Sequence, residues 1–247
     1  MAKKGEFPKA IFYDSKNTLW AWDEVWLDAC KNLLRKYESK VNPEDFQKLW
    51  SKHTAGANHR TAFGKFRKFT ETLKEGLADA SSYFGLPGDP ETDVKFMTDR
   101  WIDVQPYPDT IEAFKRQKEL VKVLCYSNVE TEYLDMMVNK LGDVRPHFVG
   151  DMDKSQCCKP SPRAYRWALE TASRELNLEL NYSNVIYCAG PQWDVQGAMA
   201  LGMKGCWIRR PTRITPEPQG VRPDYIVDNL HELTKIVEDC LAGDRAW

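Results

Sequence analysis

What this 247-residue chain lacks narrows it first. It has almost no net charge, with 35 Lys and Arg against 36 Asp and Glu. That balance argues against nucleic acid or an anionic membrane as a partner gripped by bulk charge. No apolar run approaches the ~20 residues of a membrane-spanning helix. Residues 1–8 carry lysines but no apolar stretch ahead of the first strand, so no secretory signal is expected. The seven cysteines form no regular framework, which predicts buried thiols in a reducing cytoplasm rather than disulfides. The four histidines do not cluster and no zinc-ligand spacing occurs, so neither metal nor cofactor is expected. Repeats and low-complexity tracts are absent too.

What is present is a hydrophobic fraction of 42% with 12% aromatic residues, enough for a sizeable core. The length suits one full domain plus a smaller one. Ala10-Ile11-Phe12-Tyr13 reads as a short buried strand running into Asp14 and then loop residues. From 22 to 102 no strand signal appears. Helical stripes run over 22–37, from Pro43 behind an Asn42 cap, over 62–84, and over 91–102. This predicts an all-helical domain, residues 21–102, inserted after the first strand. Its basic run, Lys52, His53, His59, Arg60, Lys65, Arg67 and Lys68, reads first as a solvated face and second as a surface for an anionic substrate. Residues 1–20 and 103–247 form the other domain, where strands at 121–126, 148–150, 185–189, 204–208 and 225–227 alternate with helices. Such alternation predicts an α/β fold with a doubly wound parallel sheet, a Rossmann-like core.

In such sheets reactive groups gather beyond the C-terminal ends of the strands. Asp14 stands there as nucleophile, base or metal ligand, with Thr18 able to hydrogen-bond it; capping the next helix is its ordinary alternative. Ser127 and Asn128 end another strand and can hold a carboxylate or an oxyanion, or simply satisfy loop backbone. Lys159 precedes Pro160 and a Pro162-initiated helix, a stiff frame that can aim an ammonium at nearby carboxylates; a surface lysine is the plain reading. Asp194, delivered by a strand, a turn and a helix start, suits a general base for water, or again a helix cap beside a packed Trp193.

In order, Asp14 with Thr18, Ser127-Asn128, Lys159-Pro160 and Asp194 resemble the four motifs of the haloacid dehalogenase superfamily, and the helical insert resembles its cap domain. The likeness is greatest to the L-2-haloacid dehalogenases, through Lys159-Pro-x-Pro-Arg163-x-Tyr165, Trp193-Asp194-x-x-Gly197-Ala198, Cys206-Trp207-Ile208-x-Arg210 and Pro223-Asp224-Tyr225. This resemblance implies a metal-independent hydrolase of a short 2-substituted carboxylic acid, with Asp14 as the nucleophile that forms an ester. It implies that Thr18, Ser127 and Asn128 position Asp14 and the substrate carboxylate, that Lys159 holds charge, and that Asp194 activates water. Ser15, Lys16, Tyr165 and Trp193 would complete the substrate surroundings. The family's dimers leave a homodimer open, and the tryptophans are read as suiting an interface.

Two features separate the chain from the superfamily's phosphatases. Lys16 stands where those enzymes carry a second aspartate, and the loop around Asp194 offers a single acid where magnesium wants several oxygen ligands. The chain also departs from the dehalogenase pattern. Lys16 and Asn17 replace Tyr and Gly, Ser51 replaces the halide-accepting arginine after Leu49-Trp50, and Ala189 and Pro191 replace Ser and Asn. Lys16, Lys52 or Arg60 are then the candidate halide acceptors. The alternatives carried alongside are ring-opening hydrolysis of an azetidine-2-carboxylate, a phosphatase, and a non-catalytic ligand binder.

Overall fold

The computed structural model describes residues 7–211 and 222–247. Among them six strands form one sheet in the order β3-β2-β1-β4-β5-β6, every neighbouring pair parallel. The strands are β1 (Ala10–Tyr13), β2 (Lys122–Ser127), β3 (Phe148–Asp151), β4 (Val185–Ala189), β5 (Lys204–Ile208) and β6 (Tyr225–Val227). Period-two alternation sends Ala10 and Phe12 to one face and Ile11 and Tyr13 to the other, and both faces are covered. Helices α6 (Pro162–Glu175) and α7 (Gln192–Met199) cover the first. Helices α4 (Pro108–Leu120), α5 (Thr131–Asn139) and α8 (Leu230–Ala242) cover the second. Burial on both sides is why these strands read as continuous apolar runs. The doubly wound sheet expected from the sequence is therefore the observed one.

Between β1 and α4 the chain forms the helical cap from α1 (Trp22–Lys36), α2 (Pro43–Thr61) and α3 (Phe69–Tyr83). Asn42 accepts from the backbone N–H of Glu44 and Asp45 with Pro43 in the first turn, so α2 starts where its cap residue dictates. Trp22, Trp26, Phe46, Trp50, Phe69 and Trp101 pack edge-to-face or tilted in its interior. The buried indole N–H of Trp50 donates to the Leu73 carbonyl at 2.8 Å, joining α2 to α3.

Several local expectations change. The helix from Pro43 runs on to Thr61, and the stretch expected as helix over 62–84 is helical only from Phe69. Phe63 is 83% exposed and Gly64 follows it, so residues 62–68 have no apolar stripe to bury. The stretch 91–102 breaks into short turns. The tryptophans do not form a surface: none of the nine is exposed. No described helix is long and apolar enough to cross a membrane. Residues 1–6, part of the tail read for a targeting signal, lie outside the described residues.

Candidate active site

The C-terminal ends of β1, β2 and β4 meet the cap over a cavity of about 430 Å³, within the ~300–1,000 Å³ usual for small-molecule sites. Asp14 follows β1 directly and is 7% exposed on the cavity floor. It does not cap the next helix: α1 has no side-chain cap at Ala21, and the Asn17 amide oxygen accepts from the Asp23 N–H instead. The Asp14 carboxylate is held from two sides. Thr18 Oγ1 donates to Oδ2 at 2.9 Å and Lys159 Nζ donates to Oδ1 at 2.7 Å.

Thr18 is fixed in turn by the Gly190 N–H (2.8 Å) and by Arg210, whose Nε donates to the Thr18 carbonyl at 2.9 Å. The loop after β4 comes so near the loop after β1 that a Cβ on Gly190 would collide with the Asn17 carbonyl. Asn17 itself lies in the left-handed region with φ 55°. Asparagine tolerates that conformation better than most residues.

Lys159 is 1% exposed and its ammonium also donates to Asp194 Oδ2 (2.6 Å), Tyr187 Oη (2.9 Å) and the Tyr126 carbonyl (3.1 Å). Burial alone would pull its pKa down, but Asp14 and Asp194 outweigh that and hold it above the ordinary lysine value. Its backbone N–H and carbonyl grip the Asn128 amide at 2.8 Å each.

Asp194 is fully buried behind Lys159 and does not line the cavity. Tyr165 Oη donates to its Oδ1 at 2.6 Å, and Tyr187 Oη reaches both oxygens at 3.0 and 2.9 Å. Burial pushes the Asp194 carboxyl up to about 6 against the lowering effect of Lys159. Burial likewise keeps both tyrosines protonated, so they remain donors. The expected direct contact between Asp194 and water is therefore not the resting arrangement. Here Asp194 anchors Lys159.

The other sequence-derived candidates divide. Lys16, Asn128 and Trp193 line the cavity with Asp14 and Lys159. Ser15, Ser127, Thr18 and Tyr165 do not, so reading Ser15, Ser127 and Tyr165 as substrate contacts is corrected. Ser15 and Ser127 are fully buried and their hydroxyls bond each other in a short contact. The β1–β2 register, which pairs Tyr13 with Cys125, sets them side by side.

Of the basic run in the cap, Lys52 and His59 reach the cavity. His53 pairs with Asp79, and Arg60 and Arg67 pair with Glu75. Arg60 is thus removed as a halide acceptor. Ser51 does line the cavity, and among the described residues no arginine lines it.

Tyr187, Asn58 and Trp26 belong to the surroundings and were not singled out in the sequence. Each sits in an apolar or helical pattern that signals packing, and only the fold shows the Tyr187 hydroxyl at Lys159 and the Asn58 amide at Asn128.

Among the described residues no cluster of three acidic, histidine or cysteine side chains could hold a metal. The position between Asp14 and Asp194 is taken by the Lys159 ammonium, which bonds both and leaves no room for a divalent cation between those two carboxylates.

No family model matches the chain. It is 25% identical over 233 residues to haloacetate dehalogenase H-2 of Moraxella sp. strain B, covering 93% of this chain and 97% of that protein. It is 25% identical over 182 residues to (S)-2-haloacid dehalogenase 2 of Pseudomonas sp. strain CBS-3, covering 72% and 75%. Its fold matches the L-2-haloacid dehalogenase of Xanthobacter autotrophicus with chloropropionic acid covalently bound. There the TM-score is 0.77 and the identity 20%, over 93% of this chain and 98% of that one.

Proposed function

We propose that this chain, a haloacid dehalogenase superfamily protein of the L-2-haloacid dehalogenase-like kind, hydrolyses L-2-haloacids to 2-hydroxy acids of inverted configuration through an ester on Asp14. One observation carries the reading. A buried ammonium, bonded to both Asp14 and Asp194, holds a carboxylate at the floor of a cavity.

In the first half-reaction Asp14 attacks C2 of the substrate, the C–O ester bond forms, and the carbon–halogen bond breaks with its electron pair leaving on the halide. Two-step displacement through a carboxylate nucleophile avoids direct attack by water. Lys159 and Thr18 each bond one Asp14 oxygen and so fix its direction of approach. Asn128, locked by Lys159 and Asn58, shapes the cavity wall beside Asp14.

Esterification removes the Asp14 charge and leaves Asp194 as the counter-ion of Lys159. Water then attacks the Asp14 carbonyl carbon, and its proton passes to Asp194 by way of the Lys159 ammonium, which bonds both carboxyl groups: Lys159 gives one proton to Asp194 and takes one from the water. Burial holds the Asp194 carboxyl up to about 6 in the resting protein, and loss of the Asp14 charge, which helps raise it, leaves it ionised near neutral pH as a base. Collapse returns that proton to the departing hydroxyl oxygen, and the second proton of the attacking water is released to solvent, which restores the Asp14 carboxylate.

The Lys16 ammonium in the cavity disfavours a substrate that carries its own cation, such as an azetidine. Seven buried, unpaired cysteines support a reducing cytoplasm as the place of work. For a homodimer, the large apolar side chains available for covering among the described residues are Phe63, Tyr83, Ile102 and Ile226.

The test is turnover of a panel of 2-haloacids by the purified protein. Equimolar halide and inverted 2-hydroxy acid are expected. Absence of both with every member of the panel refutes the proposal.

A further inference from the structure

The cations around the cavity outnumber what a single carboxylate needs. One face of α2 forms a wall of the cavity through Lys48, Ser51, Lys52, Ala55 and His59, which recur at steps of three and four residues. Cations of α2 outside that face are matched: His53 pairs with Asp79 and Arg60 with Glu75, both acids of α3. Lys48 and Lys52 have no such acid. Both are exposed, at the open side of the cavity, whereas Asp14 lies at its floor. Neither they nor Lys16 make an ion pair among the described residues. Like charges four residues apart on a helix repel, so Lys48 and Lys52 oppose the helix they stand on. The acids among the described lining residues are Asp14 and Asp23, and Lys159 is already bonded to Asp14 and Asp194.

We propose that the site takes 2-halogenated dicarboxylic acids, with C2 at Asp14 and the distal carboxylate between Lys48 and Lys52 at the cavity mouth. This rests on the dehalogenase reading above and narrows its substrate class. A monocarboxylate brings one negative charge and leaves the paired lysines of α2 without an anion; a dicarboxylate supplies the second charge. The cavity, at about 430 Å³, holds the volume of on the order of ten waters, more than a two- or three-carbon acid occupies. Trp22, Trp26 and Phe69 give it apolar lining for the methylene groups between the two carboxylates.

The distal carboxylate lies away from the reacting carbon, so its attraction to the lysines is the same before and during displacement. Binding of that kind lowers KM and leaves kcat alone. Because both lysines are exposed, salt screens the attraction.

The experiment sets each dicarboxylic acid against the monocarboxylic acid of equal length: L-2-chlorosuccinate against L-2-chlorobutanoate, and L-2-chloroadipate against L-2-chlorohexanoate. The proteins are wild type, Lys48→Gln/Lys52→Gln and Lys48→Arg/Lys52→Arg. For at least one length, wild type is expected to favour the diacid by about 3–30-fold in kcat/KM at low ionic strength, the range of two exposed ion pairs. The difference is expected in KM and should shrink toward parity at ~1 M salt. The glutamine variant should lose the preference and the arginine variant keep it. A wild type that handles the monoacid as well as the diacid at both lengths, or a preference undiminished in the glutamine variant, overturns the proposal.

A second measurement needs no turnover: binding of succinate and adipate against butanoate and hexanoate, followed by the fluorescence of the tryptophans that line the cavity. Tighter binding of a diacid in wild type, lost in the glutamine variant, is the expected result, and equal binding of diacids and monoacids overturns the subsite. Tighter diacid binding with no halide released from any of the four chloro acids refutes the dehalogenase reading alone. Halide released from the monoacids with no diacid preference refutes the dicarboxylate subsite alone.

Discussion

Replacing Lys159 by Met removes the one cation between two buried carboxylates. In the native protein its ammonium bonds Asp14 at 2.7 Å and Asp194 at 2.6 Å, with the lysine 1% and Asp194 0% exposed. Methionine fills much of the same volume, so the cavity left behind is small and the cost is electrostatic. Breaking a buried pair from one side costs about 3–5 kcal/mol, because the charge left behind keeps its desolvation penalty. Here two such charges then face each other.

The pH dependence gives this prediction its specificity. The Asp194 carboxyl is already raised to about 6 with Lys159 present, and without Lys159 its pKa rises further. A carboxyl whose folded pKa exceeds its unfolded value is most stabilising below the unfolded value, near ~4. That contribution is lost as pH climbs through the folded value. The variant is therefore hurt most at pH 8 and regains at least about 1.4 kcal/mol relative to wild type on going to pH 5.

Urea unfolding followed by tryptophan fluorescence reads both values, and the double variant with Asp194→Asn supplies the cross term. It should be less destabilised than the sum of the single variants by more than about 1 kcal/mol. A Lys159→Met penalty that is the same at pH 5 and pH 8 and additive with Asp194→Asn refutes the bridging role.

Three further outcomes follow from the same geometry. Asp194→Asn removes the base for water while leaving Asp14 in place, so intact-protein mass spectrometry after mixing with a 2-haloacid should show an accumulating adduct; no adduct at any time contradicts the role of Asp194. The pH profile of kcat on a chloro acid should climb as Asp194 ionises, with its midpoint no higher than about 6; a flat kcat from pH 4 to 9 removes the assignment. Gly197→Ala would set a methyl 2.5 Å from the Tyr165 hydroxyl, displacing the donor to Asp194, and a loss of about 10-fold or more in kcat with little change in KM is expected; an unchanged kcat shows that the Tyr165–Asp194 bond is dispensable.

The sequence made the sheet legible because each strand is short, apolar and buried on both faces, as Ile11 with Phe12 and Val123 with Leu124 show. Helix α4 went unmarked although Pro108 opens it and Ile111 and Phe114 supply its stripe, since its charged residues outnumber its apolar ones. In the cap, periodicity found the helices but not the break at 62–68, where an exposed Phe63 mimics a core position.

At the site, Asp14, Lys159 and Asp194 stood out because loops beyond strand ends must converge in a parallel sheet. The mutual bond of Ser15 and Ser127 depends on strand register, which single residues do not reveal. The unpartnered donors of Asn58 and Trp26 depend on what their neighbours bond, and no spacing rule carries that.

The central claim is that Asp14 becomes covalently bonded to substrate carbon and is released by water at its own carbonyl. A single turnover in water enriched in oxygen-18, with enzyme in excess over a 2-haloacid, tests it most directly. The account predicts one labelled oxygen in the peptide bearing Asp14 and an unlabelled hydroxy acid; label wholly in the product, with none in Asp14, would contradict it.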